Sequence, residues 1–358
     1  MCLYAKRAPR EELLHGAYAF LMGFLIRLLP EFISLKYPVG YDTPLYAYQI
    51  QHIVDRPLPI LFRSTFLFRV LMWAVLRATG LDVLLLLKIA GPLVYGLLAV
   101  SFYTFLRSAV GWDGRLSLLC TAICVLQVPT LRLSWDLFRN EFGLAMFFLF
   151  ASATVIRKAR IRWPLVALLA FLTTLSHELA SITMFIWSLY QTSTSADRSY
   201  AVKMLSCMIP SLTLFSYQLA AWLRLLPPVR AVRVERVIIH LRPHEFPLNP
   251  PFVNYFLYAN FLGADYIKLA TTLLKLLLVC YLPLCPLALV GLKRHRALDP
   301  LTVWFSIGAF SFLLCPQVYP FYSFFRWLVF LVFPMSVYAI NGLARIKSKT
   351  QYWRYVLA

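Results

Sequence analysis

Apolar runs of about bilayer-spanning length recur along nearly the whole chain, with most charged residues confined to short segments between them. A helix needs about 20 apolar residues to cross the hydrocarbon core. Every backbone polar group in that core must be satisfied, which leaves helices or closed barrels. The runs lack the alternation of barrel strands. The expected fold is therefore all-α, a polytopic transmembrane helical bundle. Composition agrees: 61% of the 358 residues are hydrophobic and 14% charged, with mean hydropathy +0.71, against about 25% charged in soluble domains. The formal net charge of +20, from 35 Lys+Arg and 15 Asp+Glu, would suggest nucleic acid in a soluble protein. Here the basic residues occupy loops between spans, where a positive-inside bias is expected, so nucleic acid is not an expected partner. Nearly all of the seven cysteines sit within apolar runs (Cys120, Cys124, Cys207, Cys280, Cys285) and read as packing residues. No CxxC or Cys/His metal spacing occurs. The first apolar run has no small-residue cleavage site after it and is expected to remain as a span.

Threading the chain by loop charge gives about ten spans in one transmembrane domain, 1–358, a multi-pass cell-membrane protein with both termini cytoplasmic. The first span is 13–30, preceded by Lys6, Arg7 and Arg10. Residues 60–79 are apolar but carry Arg63, Arg69 and Arg77. One central arginine costs about 2.5–3.5 kcal/mol on insertion scales, so 31–82 is read as an external loop with amphipathic surface helices. Further spans are expected at 83–106, 116–133 and 140–156. The stretch 163–190 has basic flanks on both sides and is read as two short helices meeting at His177-Glu178 near the outer half of the bilayer. Then come 203–223, a second long external loop at 224–264, and spans at 266–292, 301–315 and 321–343.

Four polar islands then fall at or near the external face. The first is Tyr37-Pro38-Val39-Gly40-Tyr41-Asp42-Thr43-Pro44, where Gly allows a tight turn and Pro stiffens the exit. Asp42 suits two roles, N-cap of a helix entering at Pro44 or a general base. In the second island, helical spacing would put Asp136, Arg139 and Asn140 on one face, beside Glu141. That pattern fits an internal ion pair or a phosphate-holding guanidinium. His177-Glu178 reads as a structural pair, with Glu178 capping the second short helix, or as the lining of a cavity at a helix break in contact with donor sugar or acceptor. Arg326, early in the last span, either snorkels or reaches a lipid phosphate. Loop 224–264 adds Arg233 and Arg236 among several arginines, an anionic-headgroup candidate or simply a long loop. No Gly-rich phosphate loop, HExxH or nucleophile elbow is present.

An apolar span, an external loop with an acid and surface helices, a second acid at the next external turn, and short helices broken by a polar motif follow in order. Together with Phe325-Arg326-Trp327 and downstream Pro334 and Gly342, this order resembles the GT-C superfamily of polytopic glycosyltransferases, such as protein mannosyltransferases and aminoarabinose transferases. The resemblance implies a polyprenyl-phosphate-linked sugar as donor and an acceptor that is a protein, lipid or glycan. By position, Asp42 is similar to the first-loop acid, with Tyr41 beside it, and Asp136 to the second. Arg139, His177, Glu178 and Arg326 match donor and phosphate positions, with Asn140, Glu141, Arg233 and Arg236 as secondary candidates. Asp42 stands alone where many members carry two acids. The chain has no DxD pair; the pattern implies no obligatory cofactor and stays compatible with a divalent metal. Two other classes share a cavity and arginines: a transporter or flippase of lipid-linked sugars, which should show internal repeats and midplane polar groups, and a non-catalytic membrane scaffold.

Overall fold

The computed structural model describes residues 9–34, 37–40, 42–55, 58–223, 225, 271, 275, 278, 280–282, 284–314 and 324–349. Among these the secondary structure is entirely helical. In chain order the helices are α1 (Pro9–Ile33), α2 (Thr43–Gln51), α3 (Leu58–Phe62), α4 (Leu67–Thr79), α5 (Val83–Phe105), α6 (Gly114–Leu126), α7 (Val128–Asp136), α8 (Phe138–Ala153), α9 (Ala159–Ser176), α10 (Glu178–Ser193) and α11 (Arg198–Trp222). They continue with α12 (Cys285–Gly291), α13 (Asp299–Leu314), α14 (Phe324–Phe330) and α15 (Val332–Lys349).

Local chemistry starts and stops these helices. The Asp82 carboxylate accepts from the Leu84 and Leu85 amides to open α5, and Asp113 does the same for Arg115 and Leu116 at α6. Asp197 caps α11 through the Ser199 amide. A left-handed Gly80 (φ +68°) closes α4.

Five helical stretches are long and apolar enough to cross a membrane among the described residues: Glu11–Ile33, Val83–Val110, Ala159–Ser176, Arg198–Trp222 and Arg326–Ile346. The total becomes six if α6 and α7, bent by 65° about Gln127, form one span. This is fewer than the ten expected. Helices α8, α10 and α13 have 16 residues each, about 24 Å at 1.5 Å per residue, and 12 of the 27 residues of 266–292 lie outside the described residues. The segment 60–79 is two short helices, as its arginines suggested. The 13 residues of α4 extend only about 20 Å. The break at 176–178 is also where expected, although α9 by itself has the length and apolarity of a span.

The chain gathers into two compact units, 1–111 with 133–249, and 112–132 with 250–358. In the first, α1 lies along α5, α5 on α8, and α8 against α9 and α10, while α2 and α4 pack on each other and on α5. The α1–α5 approach depends on small residues. A Cβ on Gly23 would come 2.8 Å from Ala99 Cβ, and one on Gly96 would meet the Phe20 ring at 2.8 Å. The outer flank of α1 presents Leu13, Leu21, Leu25 and Leu29, the apolar surface that a lipid-facing helix needs. In the second unit α12 packs on α15 and α13 on α14. Gly291 and Gly342 bring the α12 and α15 backbones together, so closely that a Cβ on either would collide with the other helix's backbone.

Candidate functional site

The loop after α1 turns at Gly40, whose φ of +134° suits glycine, and delivers Asp42 to the start of α2. Asp42 occupies the N-cap position, with Pro44 in the first turn, but its carboxylate makes no capping bond. The cap reading of the sequence is thus met in position and not in chemistry. The Asp42 side chain instead lies within electrostatic reach of Arg139.

Arg139 is the hub of the cluster. It sits in the first turn of α8, and its guanidinium is held by Thr65, Nη1 donating to the hydroxyl at 3.0 Å and to the carbonyl at 3.4 Å. The Thr65 hydroxyl donates onward to Glu178 Oε2 at 3.2 Å. The Arg139 amide donates to the Tyr46 phenol at 3.5 Å. Burial opposes the guanidinium charge, and Tyr46, Glu178 and Asp42 support it. Residues from four separate stretches of chain (42–46, 65, 139 and 178) therefore meet around one cation. Edge-on packing of the Tyr46 ring against Phe68 and Phe138 braces the phenol.

At the helix break, His177 rather than Glu178 caps α10. His177 Nδ1 accepts from the Leu179 amide at 3.1 Å, so in the neutral ring the hydrogen resides on Nε2. That nitrogen faces Glu178 Oε1 at 3.5 Å. The sequence reading had Glu178 as the cap; the cap is one residue earlier, because His177 has the extended backbone (φ −159°, ψ 136°) that an N-cap requires. Glu178, its side chain 45% exposed, is left to reach Thr65. Gly143 of α8 makes this junction possible: a Cβ there would lie 2.6 Å from His177 Cβ.

Asp136 does not share a helix face with Arg139 and Asn140. Helix α7 ends at Asp136 and α8 begins at Phe138, with Leu137 (φ −111°, ψ 45°) breaking the register. The side chain of Asp136 lies outside the described residues. Asn140 and Glu141 are buried in the interior, where Asn140 Oδ1 and both Glu141 carboxylate oxygens have no hydrogen-bond partner among the described residues. Glu141 has Arg27 as its electrostatic neighbour. Arg326 lies in α14 of the second unit, next to Trp327, whose ring packs on Trp304, Phe305 and Phe330. Tyr41, Arg233 and Arg236 lie outside the described residues.

Sequence reasoning missed Thr65, an unremarkable polar residue between two short helices. It also treated Arg69 only as an insertion cost. Arg69 is buried, donating to the Thr65 carbonyl at 2.8 Å, the Ser64 hydroxyl at 3.0 Å and Gln49 Oε1 at 3.4 Å. The visible signal was the i,i+4 spacing that lets an arginine in the first turn of α4 turn back on the carbonyl before it. Among the described residues no group of three or more His, Cys, Asp or Glu is placed to hold a metal. Chemically, the cluster offers an anion-binding guanidinium flanked by two carboxylates, one of them on a loop.

Comparison with protein-family models, curated proteins and solved structures returns no match to this chain.

Proposed function

We propose that this chain is an integral-membrane glycosyltransferase of GT-C type, moving a sugar from a polyprenyl-phosphate carrier to an acceptor hydroxyl. The observation that carries the reading is the convergence of Asp42, Tyr46, Thr65 and Glu178 on Arg139 within one unit. In the proposed reaction the acceptor oxygen attacks the anomeric carbon while its proton passes to the Asp42 carboxylate. The bond from the anomeric carbon to the phosphate oxygen breaks, its electron pair leaving on the lipid phosphate, whose charge Arg139 stabilises. Glu178, tied to Arg139 through Thr65, keeps the guanidinium oriented. The basic residues at 6–10, at 157–162 and, after the last apolar run, at 345, 347, 349 and 354 argue that both termini are cytoplasmic and that the Asp42 end faces outside.

The test is release of polyprenyl phosphate by the purified protein in lipid, from a panel of polyprenyl-phosphate sugars with acceptor extract added. Wild type should release it. Asp42→Asn and Arg139→Ala should each lower the rate at least 100-fold, within the range of losing a general base or a charge-stabilising donor. Arg326→Ala tests the second phosphate candidate from the sequence. No release from any donor, with the protein folded, would overturn the reading. Transbilayer movement of intact lipid-linked sugar in that case would mark a transporter.

A further inference from the structure

Below the Asp42 loop, α1 and α5 carry charges where a membrane helix rarely does. Arg27 and Glu31, one turn apart on α1, are 0% and 2% exposed and paired at 2.6 Å. Lys88 of α5 stands 3.5 Å from the other Glu31 oxygen. Buried intramembrane charges are costly and are retained mainly where they have a role. These three direct their hydrogen bonds at the chain leading to Asp42.

Val39 is where they meet. Its amide donates to both oxygens of Glu31, at 3.2 and 3.1 Å. Its carbonyl accepts from Arg27 Nη2 at 3.1 Å and from the Thr43 hydroxyl at 3.4 Å. Asp42 therefore lies between two anchored residues, Val39 and Thr43. Lys88 secures the approach to the loop, donating to the carbonyls of Glu31 and Tyr37 at 2.7 and 3.2 Å and to the Ser34 hydroxyl at 2.9 Å. The other edge of the Arg27 guanidinium reaches a distant stretch of chain, Nε donating to the Ser134 carbonyl at 3.1 Å. Ser134 is five residues before Arg139. One side chain thus holds the loop of Asp42 and the end of α7 that leads to Arg139. The space for it exists because α5 has glycine at position 91, where a Cβ would lie 3.2 Å from Arg27 Nη2.

We infer that Arg27, with Glu31 and Lys88, is a positioning clamp that sets the placement of Asp42 relative to Arg139 from within the membrane-spanning layer. The guanidinium donates from separate nitrogens at its two edges, Nε to Ser134 and Nη2 to Val39, a span that the single nitrogen of an ammonium does not provide. Lysine at position 27 keeps the charge that Glu31 needs and cannot bridge the Val39 and Ser134 carbonyls together. The clamp stands on geometry alone; its consequence for turnover rests on the glycosyltransferase reading.

Amide hydrogen exchange by mass spectrometry on the full-length protein in lipid tests the geometry. In wild type the Val39 amide exchanges slowly for a loop position. In Arg27→Lys the peptide carrying Val39 should exchange at least 10-fold faster, with α5 and α8 peptides unchanged. Fast exchange of Val39 already in wild type, or an unaltered peptide in the variant, would overturn the clamp. Global loss of protection in Arg27→Lys would call for Gly91→Ala, which retains every charged group and crowds the guanidinium; it should show the same local change, and its absence would also overturn the clamp. Polyprenyl-phosphate release read on the same samples should show kcat lowered at least 10-fold and KM changed less than twofold. An active wild type with local loosening and unchanged kcat would refute the positioning role. A wild type inactive on every donor would refute the glycosyltransferase reading and leave the exchange result to decide the clamp.

Discussion

At the residue scale, the interior of the first unit is an exercise in charge balance. Arg27 and Lys88 supply two cations, and Glu31 and Glu141 two carboxyl groups, Glu141 lying in the field of Arg27 with no hydrogen-bond donor of its own among the described residues. Removing one member of a buried ionic set leaves the others uncompensated, which costs about 3–5 kcal/mol, whereas a well-packed apolar replacement of the whole set can be neutral. Glu31→Gln is therefore expected to destabilise the protein by about 3 kcal/mol or more, measured by denaturant unfolding in mixed micelles. Adding Arg27→Met and Lys88→Met should recover part of that loss, because the two stranded cations go with the Glu31 carboxylate and only Glu141 is left without its neighbouring cation. If the triple variant is weaker than the single one by the sum of separate losses, the three residues do not act as a set. The same exercise separates these residues from Arg139, whose partners Thr65 and Glu178 are hydrogen-bonded to each other. Nothing in the chemistry of an isolated arginine distinguishes the two cases, and neither Arg27 nor Thr65 stood out in the sequence, since each acquires its role from residues about 70 to 110 positions away.

At the element scale, glycines decide how closely helices approach, and two of them make sharp predictions. Gly143 permits α8 to touch the His177 junction, so Gly143→Ala should force α9 and α10 from α8 and destabilise by about 1–3 kcal/mol, the usual cost of overpacking. Because Glu178 follows His177 directly, the same variant should also lower polyprenyl-phosphate release. A variant as stable and as active as wild type would show that the junction is loose. In the second unit, Gly342→Ala meets the Leu287 carbonyl of α12 and should lower the thermal midpoint while leaving exchange at Val39 untouched. The break at 176–178 and the short helices over 58–79 were legible from sequence, because a polar pair inside an apolar run and three arginines in 20 residues are local facts. The break at Leu137 falls in the turn expected between the spans 116–133 and 140–156, but its position between Asp136 and Arg139 was not legible, and helical spacing put those two residues on one face; Phe138, just after the break, packs with Tyr46 and Phe68.

At the scale of the whole molecule, the prediction is one of membrane orientation. The proposed arrangement puts Asp55, which is exposed beside His52, on the outside and Arg160, at the start of α9, on the inside. An impermeant thiol reagent applied to sealed right-side-out vesicles should label Asp55→Cys above the wild-type background, and Arg160→Cys only after permeabilisation. The opposite pattern would invert the topology and move the Asp42 cluster to the cytoplasmic face. What the sequence by itself determined is that the chain is helical and built of membrane-length apolar runs, that helices are interrupted at His177-Glu178 and stay short over 60–79, and which acids and arginines stand there. Each of these depends on residues near one another in the chain, through run length, capping and insertion cost. Tertiary structure alone decided which polar groups meet: that Thr65 links Arg139 to Glu178, that His177 rather than Glu178 caps α10, that Asp136 and Arg139 lie on different helices, and that Arg27 reaches both Val39 and Ser134. A buried polar side chain must be satisfied by whatever packing brings beside it, and in a bundle those neighbours come from helices far apart in sequence.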